Sequence, residues 1–368
     1  MLVLNKQIKK LGNASSLHSA GRSVRKDLET AREELAEAVG CDASEIIFTS
    51  TGTEANNLAI KGLFWKGVKA NKKVIITSTF EHHAVMDPIV WLTEHEGAQV
   101  VGISVDRKGF IDLAELEEAI EKYHDEISFI SIMHSNNEVG TLQDIAQVVK
   151  MARDIPVHSD CVQSFGKVDL SFKKLGLTAA TISAHKIGGP LGVAALILKK
   201  GLDIEPILHG GGQERDIRSG TFNTPGITAF AAAATDAVEN RKERELKVRE
   251  LKKELIQTIK KNVSDIVVNA DQEKSLPGIL SITFPKTDSE GLLLLLDAEG
   301  IACSTGSACS AGVQRPSHVL LAMGLSEDET TSTLRFSLSY TNTINEIARL
   351  GSVISSVVAR SKSASGKK

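Results

Sequence analysis

Short apolar runs rich in β-branched residues alternate with longer stretches of helical spacing between Glu45 and Lys199. Such runs, bounded by polar or turn-forming residues, predict β-strands. They show no strict apolar–polar alternation, which is typical of parallel strands covered on both faces by helices. The pattern therefore predicts a doubly wound α/β domain with a mostly parallel sheet. The predicted strands are EIIFTS, KVIITS, QVVGISV, ISFISIM, IPVHSD and AATISA.

The pattern changes near Val238, where a strongly charged helix begins. Its Glu and Lys residues form i,i+4 pairs, and we interpret it as a solvated helix that joins two domains. Beyond it, LPGILSITF and TSTLRFSLS predict strands, and an apolar helix lies between them around Leu292–Leu296. We therefore expect a large domain at residues 12–240. A smaller α+β C-terminal domain is expected at 241–368, joined by residues 1–11.

Composition narrows the class of protein without identifying its chemistry. The 368 residues include 43 basic and 46 acidic side chains, so no bulk charge favours nucleic acid or an anionic membrane as a partner. Apolar runs stay far below the roughly 20 residues that span a bilayer. The N-terminal MLVLNKQIKK lacks the pattern of a secretory signal. Composition therefore predicts a cytoplasmic α/β protein of enzyme size.

Polar side chains follow five of the predicted strands at their carboxyl ends. In parallel sheets these ends lie along one edge, where binding and catalytic residues gather. One cluster would be weak evidence, whereas five at the same edge predict a functional site. The clusters are Thr51–Glu54, Phe80–His83, His134–Glu138, Asp160 with Gln163, and His185 with Lys186.

Lys186 lies between an apolar strand and a Gly-Gly-Pro turn, in SAHKIGGP. A half-buried lysine there can act as an amine nucleophile, although without other support we would favour a lysine whose ammonium reaches solvent. Asp160 favours the first interpretation, because pyridoxal phosphate enzymes need a Schiff-base lysine and an acid that keeps the pyridine nitrogen protonated. Hydroxyls and helix N-terminal amides in Ser50–Thr53 suit a phosphate, and they also suit a simple helix cap.

Cys309 lies among small residues in STGSACSAG, which predicts an accessible thiol. We interpret the other three cysteines as mostly structural, with Cys303 at a strand end. Their number is too small for a disulfide scaffold in a chain of this length. These three are Cys41, Cys161 and Cys303.

Two further side chains keep two interpretations each. His82 is either structural or catalytic, and His83 beside it makes the choice of residue ambiguous. Arg335 lies inside a predicted strand, where it either clamps a carboxylate or pairs with an acid at a sheet edge.

These ordered motifs together resemble the cysteine desulfurases of the NifS/IscS type, which are class V aminotransferase family enzymes with the type I fold of pyridoxal phosphate-dependent transferases. The resemblance extends from about Gly12 to Leu350 and is specific because so many motifs occur in order. It implies a large domain with a mostly parallel sheet covered by helices and a smaller α+β C-terminal domain. The motifs are GNASSLHSAGR, EIIFTSTGTEANNLAIKG, EHHAV, SIMHSNNEVGTLQDI, HSDCVQSFGK, SAHKIGGPLGV, HGGGQERDIRSGT, CSTGSACSAG, PSHVLLAMG and LRFSLSYTNT.

The resemblance implies a role for each candidate residue. Lys186 would form the Schiff base with pyridoxal 5'-phosphate, Asp160 would bind the pyridine nitrogen, and Gln163 would bind the ring hydroxyl. His82 would stack on the ring and assist proton transfer, and Cys309 would be the nucleophile that accepts sulfur. The remaining implied residues are Gly52, Thr53, Ser183 and His185 at the phosphate, Thr221 at the phosphate of a neighbouring subunit, and Asn137 with Arg335 at the substrate carboxylate, Asn137 also near the ring.

The implied reaction removes sulfur from L-cysteine, giving L-alanine and a persulfide on Cys309. The persulfide would pass to an acceptor protein, either an iron–sulfur scaffold or a tRNA-thiolation relay. The role of Thr221 implies a homodimer. No resident metal is implied, although Cys309 could transiently bind a nascent iron–sulfur cluster.

Other functions are weighed against this one. A selenocysteine lyase or a cysteine sulfinate desulfinase would share the site, whereas an aminotransferase would have no use for an accessible thiol. A weakly active scaffold paralogue would have no need of Lys186, Asp160, Gln163 and Cys309. A metal site is a further alternative without the usual ligand spacing. Its candidate ligands are His82, His83, His134, His158 and Cys161.

The N-terminus departs from the family pattern. Family members begin upstream with a strand and an Asn-Ala-(Ala/Ser)-Thr-Thr-Pro loop that lines the substrate pocket, whereas here Met1 lies just before the GNASS segment. Either the start lies inside the natural chain or the chain is truncated. We expect the missing loop to remove one pocket wall and a strand of the smaller domain, which would lower activity and stability.

Overall fold

The computed structural model describes residues 2–10, 12–306 and 316–365. The chain divides into two compact units. The large unit comprises Met1–Ile103, Leu113–His134 and Gln143–Arg241, and the small unit comprises Ser104–Asp112, Ser135–Leu142 and Lys242–Lys368. Within the described ranges, no helix is both long and apolar enough to cross a membrane.

A seven-stranded sheet forms the centre of the large unit. Its strands are β1 (Ile46–Thr49), β2 (Val74–Ser78), β3 (Gln99–Ile103), β4 (Ile127–Ser131), β5 (Val157–Asp160), β6 (Ala179–Ser183) and β7 (Ala194–Leu198). Their order is β1-β7-β6-β5-β4-β2-β3. Only β7 runs against the others, since it pairs antiparallel with both β1 and β6. The predicted mostly parallel sheet is confirmed, and its six predicted strands are the parallel ones.

Helices surround this sheet, as the absence of alternation in the strands predicts. They are α1 (Leu2–Ile8), α2 (Ser19–Val39), α3 (Gly52–Val68), α4 (His83–Glu96), α5 (Leu113–Tyr123), α6 (Ile145–Ala152), α7 (Phe172–Leu175) and α8 (Thr224–Glu239). Short 3-10 helices occupy Ala43–Glu45, His124–Glu126 and Ala184–Ile187. The core between α3 and the sheet includes the fully buried Leu58, Phe64 and Phe129.

Residues at the N-terminus belong with the large unit, which differs from the expected grouping of 1–11 with the smaller domain. The reason is local packing, because α1 lies against α8.

An antiparallel four-stranded sheet forms the small unit, in the order β10-β11-β9-β8. The strands are β8 (Val267–Val268), β9 (Ile279–Thr283), β10 (Ser304–Thr305) and β11 (Thr333–Ser337). The helices that follow the large unit are α9 (Arg241–Asn262), α10 (Ser289–Ala298), α11 (His318–Ala322), α12 (Glu327–Thr330) and α13 (Ile344–Ser365).

The charged helix α9 is more than a solvated connection. Leu251, Leu255 and Ile259 line one of its faces and pack into the core of the small unit. Their spacing of four residues forms a narrow apolar stripe, which the abundance of charged residues conceals in the sequence.

The chain leaves the large unit twice before α9, and the second excursion matters for function. Residues 135–142 belong to the small unit, whereas we expected them in the large domain. Backbone hydrogen bonds hold them there, because Leu142 N–H donates to the Lys274 carbonyl and Leu276 N–H donates to the Gly140 carbonyl. Gly140 has φ +83°, and a Cβ at this position would lie 3.1 Å from Cβ of Ile279.

Candidate functional site

Asp160 ends β5 with its carboxylate almost completely buried. Asn56 Nδ2 on α3 donates to Oδ2 at 2.7 Å, and the Val162 N–H donates to Oδ1 at 2.9 Å. Burial raises the pKa of Asp160, whereas these two hydrogen bonds and the nearby His82 and Lys186 act in the opposite direction. A buried carboxylate with two fixed donors is oriented to bind one further cationic or N–H group.

The N-terminus of α3 lies close to the end of the neighbouring strands. Thr51 caps this helix by accepting a hydrogen bond from the Glu54 N–H at 3.0 Å. A Cβ on Gly52 would lie 3.2 Å from the Val162 side chain and 3.7 Å from Cβ of Ser183. The cap therefore leaves the first turn of a long helix beside the Ser183 hydroxyl, an arrangement suited to an anion. Thr53, in the same turn, is exposed.

Lys186 lies in the 3-10 helix that directly follows β6 and is half-buried. Its charge acts on both Asp160 and His82, so the three groups lie within electrostatic range of each other. In the same turn, Ser183 Oγ and His185 Nδ1 form a hydrogen bond of 2.9 Å. The exposed His185 has a lowered pKa, because desolvation and then Lys186 disfavour its charged form.

Gln163, after β5, is half-buried, and its Oε1 accepts a hydrogen bond from Lys167 Nζ at 3.2 Å. Gln163 directly follows Val162, the loop residue whose N–H donates to Asp160.

His82 is the N-cap of α4, and its Nδ1 accepts a hydrogen bond from the Ala84 N–H at 3.0 Å. In the neutral ring this places the proton on Nε2. Desolvation lowers the pKa of His82, with Asp160 opposing and His83 reinforcing the shift. By contrast His83 points to an exposed ion pair with Asp87, at 3.0 Å. Of the two histidines, His82 is thus the one with a described electrostatic interaction with Asp160, and its catalytic role stays a prediction.

Glu81 is a buried acid that the sequence analysis did not single out. Its Oε1 accepts hydrogen bonds from Ser78 Oγ at 2.5 Å and from the Met133 N–H at 2.8 Å. Burial raises its pKa to about 8, with these hydrogen bonds opposing the shift. Through these hydrogen bonds, Glu81 connects the loop that precedes α4 to Met133, just after β4. In the sequence, only its position next to His82 could have indicated a functional role.

The segment 209–221 is fixed within the large unit by ion pairs that the sequence did not reveal. Arg218 Nε donates to Glu54 Oε1 at 2.7 Å, at the N-terminus of α3. Glu214 forms a buried two-bond pair with Arg32 on α2, each bond 3.0 Å long. Thr221 is the last residue of this segment and is exposed.

In the small unit, Arg335 on β11 and Asn137 are in direct contact. Arg335 Nη1 donates to the Asn137 carbonyl at 2.9 Å, while Nε of Arg335 and Oδ1 of Asn137 are buried without a hydrogen-bond partner among the described residues. No carboxylate partner of Arg335 is found among the described residues, and β11 lies between β9 and β10 rather than at an edge. The edge-strand alternative for Arg335 is therefore wrong.

Burial disfavours the thiolate form of each described cysteine. Burial raises the pKa of Cys41 to about 12, of Cys161 to about 12 and of Cys303 to about 11. Cys303 directly precedes β10 rather than following a strand. Cys309 lies outside the described residues.

The histidines considered for a metal site have other partners. His134 bonds Ser164 at 2.8 Å, and His158 bonds Ser131 at 2.9 Å. Burial lowers the pKa of His134 to about 4 and of His158 to about 3. Across the part of the chain that the structure describes, no three His, Cys, Asp or Glu side chains gather as metal ligands would.

Comparisons with known proteins agree with this geometry. Residues 4–350 match the family model of aminotransferase class-V. The chain is 43% identical over 359 residues to an "IscS-like cysteine desulfurase" of Mycobacterium tuberculosis, covering 96% of this chain and 91% of that protein. A solved "NIFS-like protein" has a TM-score of 0.89 and 35% identity, covering 98% of this chain and 96% of that one.

A second solved structure, "SspA in complex with cysteine", has a TM-score of 0.79 and 31% identity, and the similarity covers 92% of this chain and 96% of that one. The chain therefore belongs to the aminotransferase class-V family, and within it to the cysteine desulfurases of the NifS/IscS type.

Proposed function

We propose that this chain uses pyridoxal 5'-phosphate to remove sulfur from L-cysteine, releasing L-alanine and leaving a persulfide on Cys309. The observation that carries the proposal is the buried carboxylate of Asp160, fixed by Asn56 and Val162 within electrostatic range of Lys186. The names of the relative from Mycobacterium tuberculosis and of the structure with bound cysteine support the choice of substrate.

The described residues fit the cofactor. Pyridoxal phosphate, when bound, supplies an electron sink for the electron pair released at the substrate α-carbon. Asp160 would keep a proton on the pyridine nitrogen, because a buried carboxylate strongly favours a cationic partner. The first turn of α3, at Gly52 and Thr53, would bind the phosphate together with Ser183 and His185.

Lys186 and His82 move the protons of the reaction. Lys186 would hold the cofactor through its amine, and the same amine, when free, would take the proton from the substrate α-carbon. His82 is neutral near pH 7, because desolvation lowers its pKa. Since its Nδ1 is occupied by the Ala84 N–H, Nε2 is the atom that would exchange a proton with the substrate.

Arg335 and Asn137 bind the substrate carboxylate. The Arg335 guanidinium has a positive charge that no described carboxylate neutralises, and its Nε is still available as a donor. A substrate carboxylate would satisfy it with a charge-assisted hydrogen bond, and Asn137, whose carbonyl contacts Arg335, would help to orient the ligand.

Cys309 accepts the sulfur. Its thiolate attacks the substrate sulfur, a sulfur–sulfur bond forms, and the carbon–sulfur bond breaks toward carbon, which is then protonated to give alanine. We propose an acceptor protein for the persulfide, either an iron–sulfur scaffold or a tRNA-thiolation relay. We also propose a homodimer in which the exposed Thr221 reaches the phosphate of the neighbouring subunit.

The test is alanine release from L-cysteine by the chain reconstituted with pyridoxal phosphate, in the presence of a reductant. We expect turnover by the wild type and its loss in Lys186→Ala and in Cys309→Ser. Matched controls are Lys199→Ala, an exposed lysine after β7, and Cys303→Ser, a thiol of raised pKa. Parallel assays with L-selenocysteine and cysteine sulfinate separate the lyase and desulfinase alternatives. A wild type that binds the cofactor and releases no alanine would contradict the proposal.

A further inference from the structure

Glu138 is a buried acid that directly follows Asn137 in the small unit and has only 6% of its surface exposed. Neither the sequence analysis nor the proposed reaction gives it a role. Burying a carboxylate is costly unless hydrogen bonds compensate for the lost water. The groups that bond to the Glu138 carboxylate should therefore explain why it is buried.

Its carboxylate meets both described ends of the segment that carries Cys309. Ser317, itself buried, donates from Oγ to Glu138 Oε2 at 2.6 Å. On the other side, a Cβ placed on Gly306 would lie 2.8 Å from the same Oε2 and 3.5 Å from Cβ of Ser317. Gly306 and Ser317 thus approach each other at one carboxylate oxygen, and a side chain at residue 306 would have to displace that oxygen.

Ser317 is fixed by a second interaction. It is the N-cap of α11, where its Oγ accepts a hydrogen bond from the Leu320 N–H at 3.2 Å. The hydroxyl therefore donates to Glu138 and accepts from the helix, so both of its functions are used. The Glu138 carboxylate and the start of α11 form one continuous hydrogen-bonded unit.

The turn that carries Glu138 is equally fixed. The N–H groups of Glu138 and Val139 donate to Asn136 Oδ1 at 2.8 and 3.1 Å. The preceding Asn137 carbonyl accepts the hydrogen bond from Arg335. The same short turn thus holds the proposed carboxylate-binding arginine and, one residue later, both described ends of the Cys309 segment.

We propose that Glu138 is a positioning residue that fixes the base of the Cys309 segment relative to Arg335, and thereby sets the rate at which Cys309 accepts sulfur. The proposal rests on the proposed function, because it assigns Glu138 to the sulfur-transfer step of that reaction. Attack on the substrate sulfur requires the thiol and the bound substrate to meet in a defined geometry. Because Glu138 and the adjacent turn hold both the ends of the Cys309 segment and Arg335, fewer relative positions of the thiol and the bound substrate are accessible.

The experiment compares Glu138→Ala and Glu138→Gln in chains loaded with pyridoxal phosphate. Three quantities are measured: the thermal midpoint, the affinity for L-alanine from the absorbance of the bound cofactor, and the single-turnover rate of persulfide formation on Cys309 with L-cysteine. We expect Glu138→Ala to slow persulfide formation by about tenfold or more, the loss expected from misplacing a reacting group. L-Alanine binding, which needs no thiol, should change less than about twofold. Glu138→Gln should recover most of the rate, because its amide oxygen can still accept from Ser317.

A matched control is Glu329→Ala in α12, since Glu329 is also bonded to a helix-capping serine, Ser326, in the small unit. It should leave the persulfide rate unchanged. Gly306→Ala provides a second approach to the same junction and should also slow persulfide formation without weakening L-alanine binding.

Three results would overturn the proposal. The first is a Glu138→Ala rate equal to that of Glu329→Ala, and the second is an equal loss of L-alanine binding and persulfide formation, which indicates a purely structural role. If Glu138→Ala does not fold, a normal persulfide rate in Gly306→Ala overturns it instead. A wild type that forms no persulfide contradicts the proposed function itself, which is a separate outcome.

Discussion

Replacing Asn56 by alanine tests whether Asp160 is the anchor of the cofactor. The substitution removes the 2.7 Å hydrogen bond from Asn56 Nδ2 and leaves the one from the Val162 N–H. The Oδ1 atom of Asn56 has no partner among the described residues, so the substitution also removes an unsatisfied polar atom. We therefore expect little loss of global stability and a specific effect on Asp160.

A hydrogen bond to a charged group contributes about 1.5–3 kcal/mol, which corresponds to a weakening of the Kd for pyridoxal phosphate by about ten- to a hundredfold. The effect should depend on pH. The lost donor lowers the pKa of Asp160 in the wild type, so the variant has the higher pKa and its carboxylate is protonated more readily as pH falls. Cofactor affinity of the variant should therefore decline at a higher pH than that of the wild type.

The assay is a fluorescence titration with pyridoxal phosphate across the neutral and mildly acidic range. The control is Asn57→Ala, one residue further along α3, where Nδ2 bonds only the Thr53 carbonyl of its own helix. The reasoning is refuted if Asn56→Ala binds the cofactor as tightly as Asn57→Ala, or if the two show the same dependence on pH while both retain the wild-type thermal midpoint.

Three further predictions concern the described residues. Glu214→Ala should lower the free energy of unfolding by about 3 kcal/mol, because it leaves the buried Arg32 without its main partner. Urea denaturation measures this loss, with Glu33→Ala at an exposed position as the control. An equal loss of unfolding free energy in the two variants would contradict the prediction. At neutral pH, iodoacetamide should label Cys309 rapidly and the other three cysteines slowly, as followed by peptide mass spectrometry. The reason is that burial raises the pKa of Cys41 to about 12, of Cys161 to about 12 and of Cys303 to about 11. Equal labelling rates of all four cysteines would contradict this prediction. Burial raises the pKa of Glu81 from 4.5 to about 8, so between these pH values the folded state retains a proton that the unfolded state has lost, and the free energy of unfolding should fall as pH rises. Urea denaturation at several pH values measures this decline, which Glu81→Gln should reduce. The same decline in Glu81→Gln as in the wild type would argue against a buried protonated carboxyl.

The large sheet and the residues at its edge were predictable because both follow from local pattern. Short β-branched runs predicted the six parallel strands, and parallel strands place their carboxyl ends at one edge. Asp160 and Lys186 were found in this way from two separate strands. The antiparallel β7 was not among the predicted strands, because an uninterrupted apolar run does not distinguish a strand from a buried helix.

Long-range contacts were beyond local pattern. The excursion of residues 135–142 into the small unit is held by backbone hydrogen bonds to residues around Leu276, and such bonds have no signature in side-chain periodicity. The contact between Glu138 and Ser317 spans 179 positions in the sequence. The apolar stripe of α9 was concealed by the charged residues around it. Each of these features depends on which segments meet in the folded chain.

The central claim is that one chain transfers one sulfur atom to Cys309 in each turnover. The most direct measurement is a single turnover of the reconstituted chain with radiolabelled L-cysteine and no reductant, followed by mass spectrometry of the Cys309 peptide and quantification of alanine. The account predicts equal amounts of alanine and Cys309 persulfide, and neither product in Lys186→Ala. Alanine without sulfur on Cys309, or sulfur on another cysteine in a chain that carries Cys309→Ser, would contradict it.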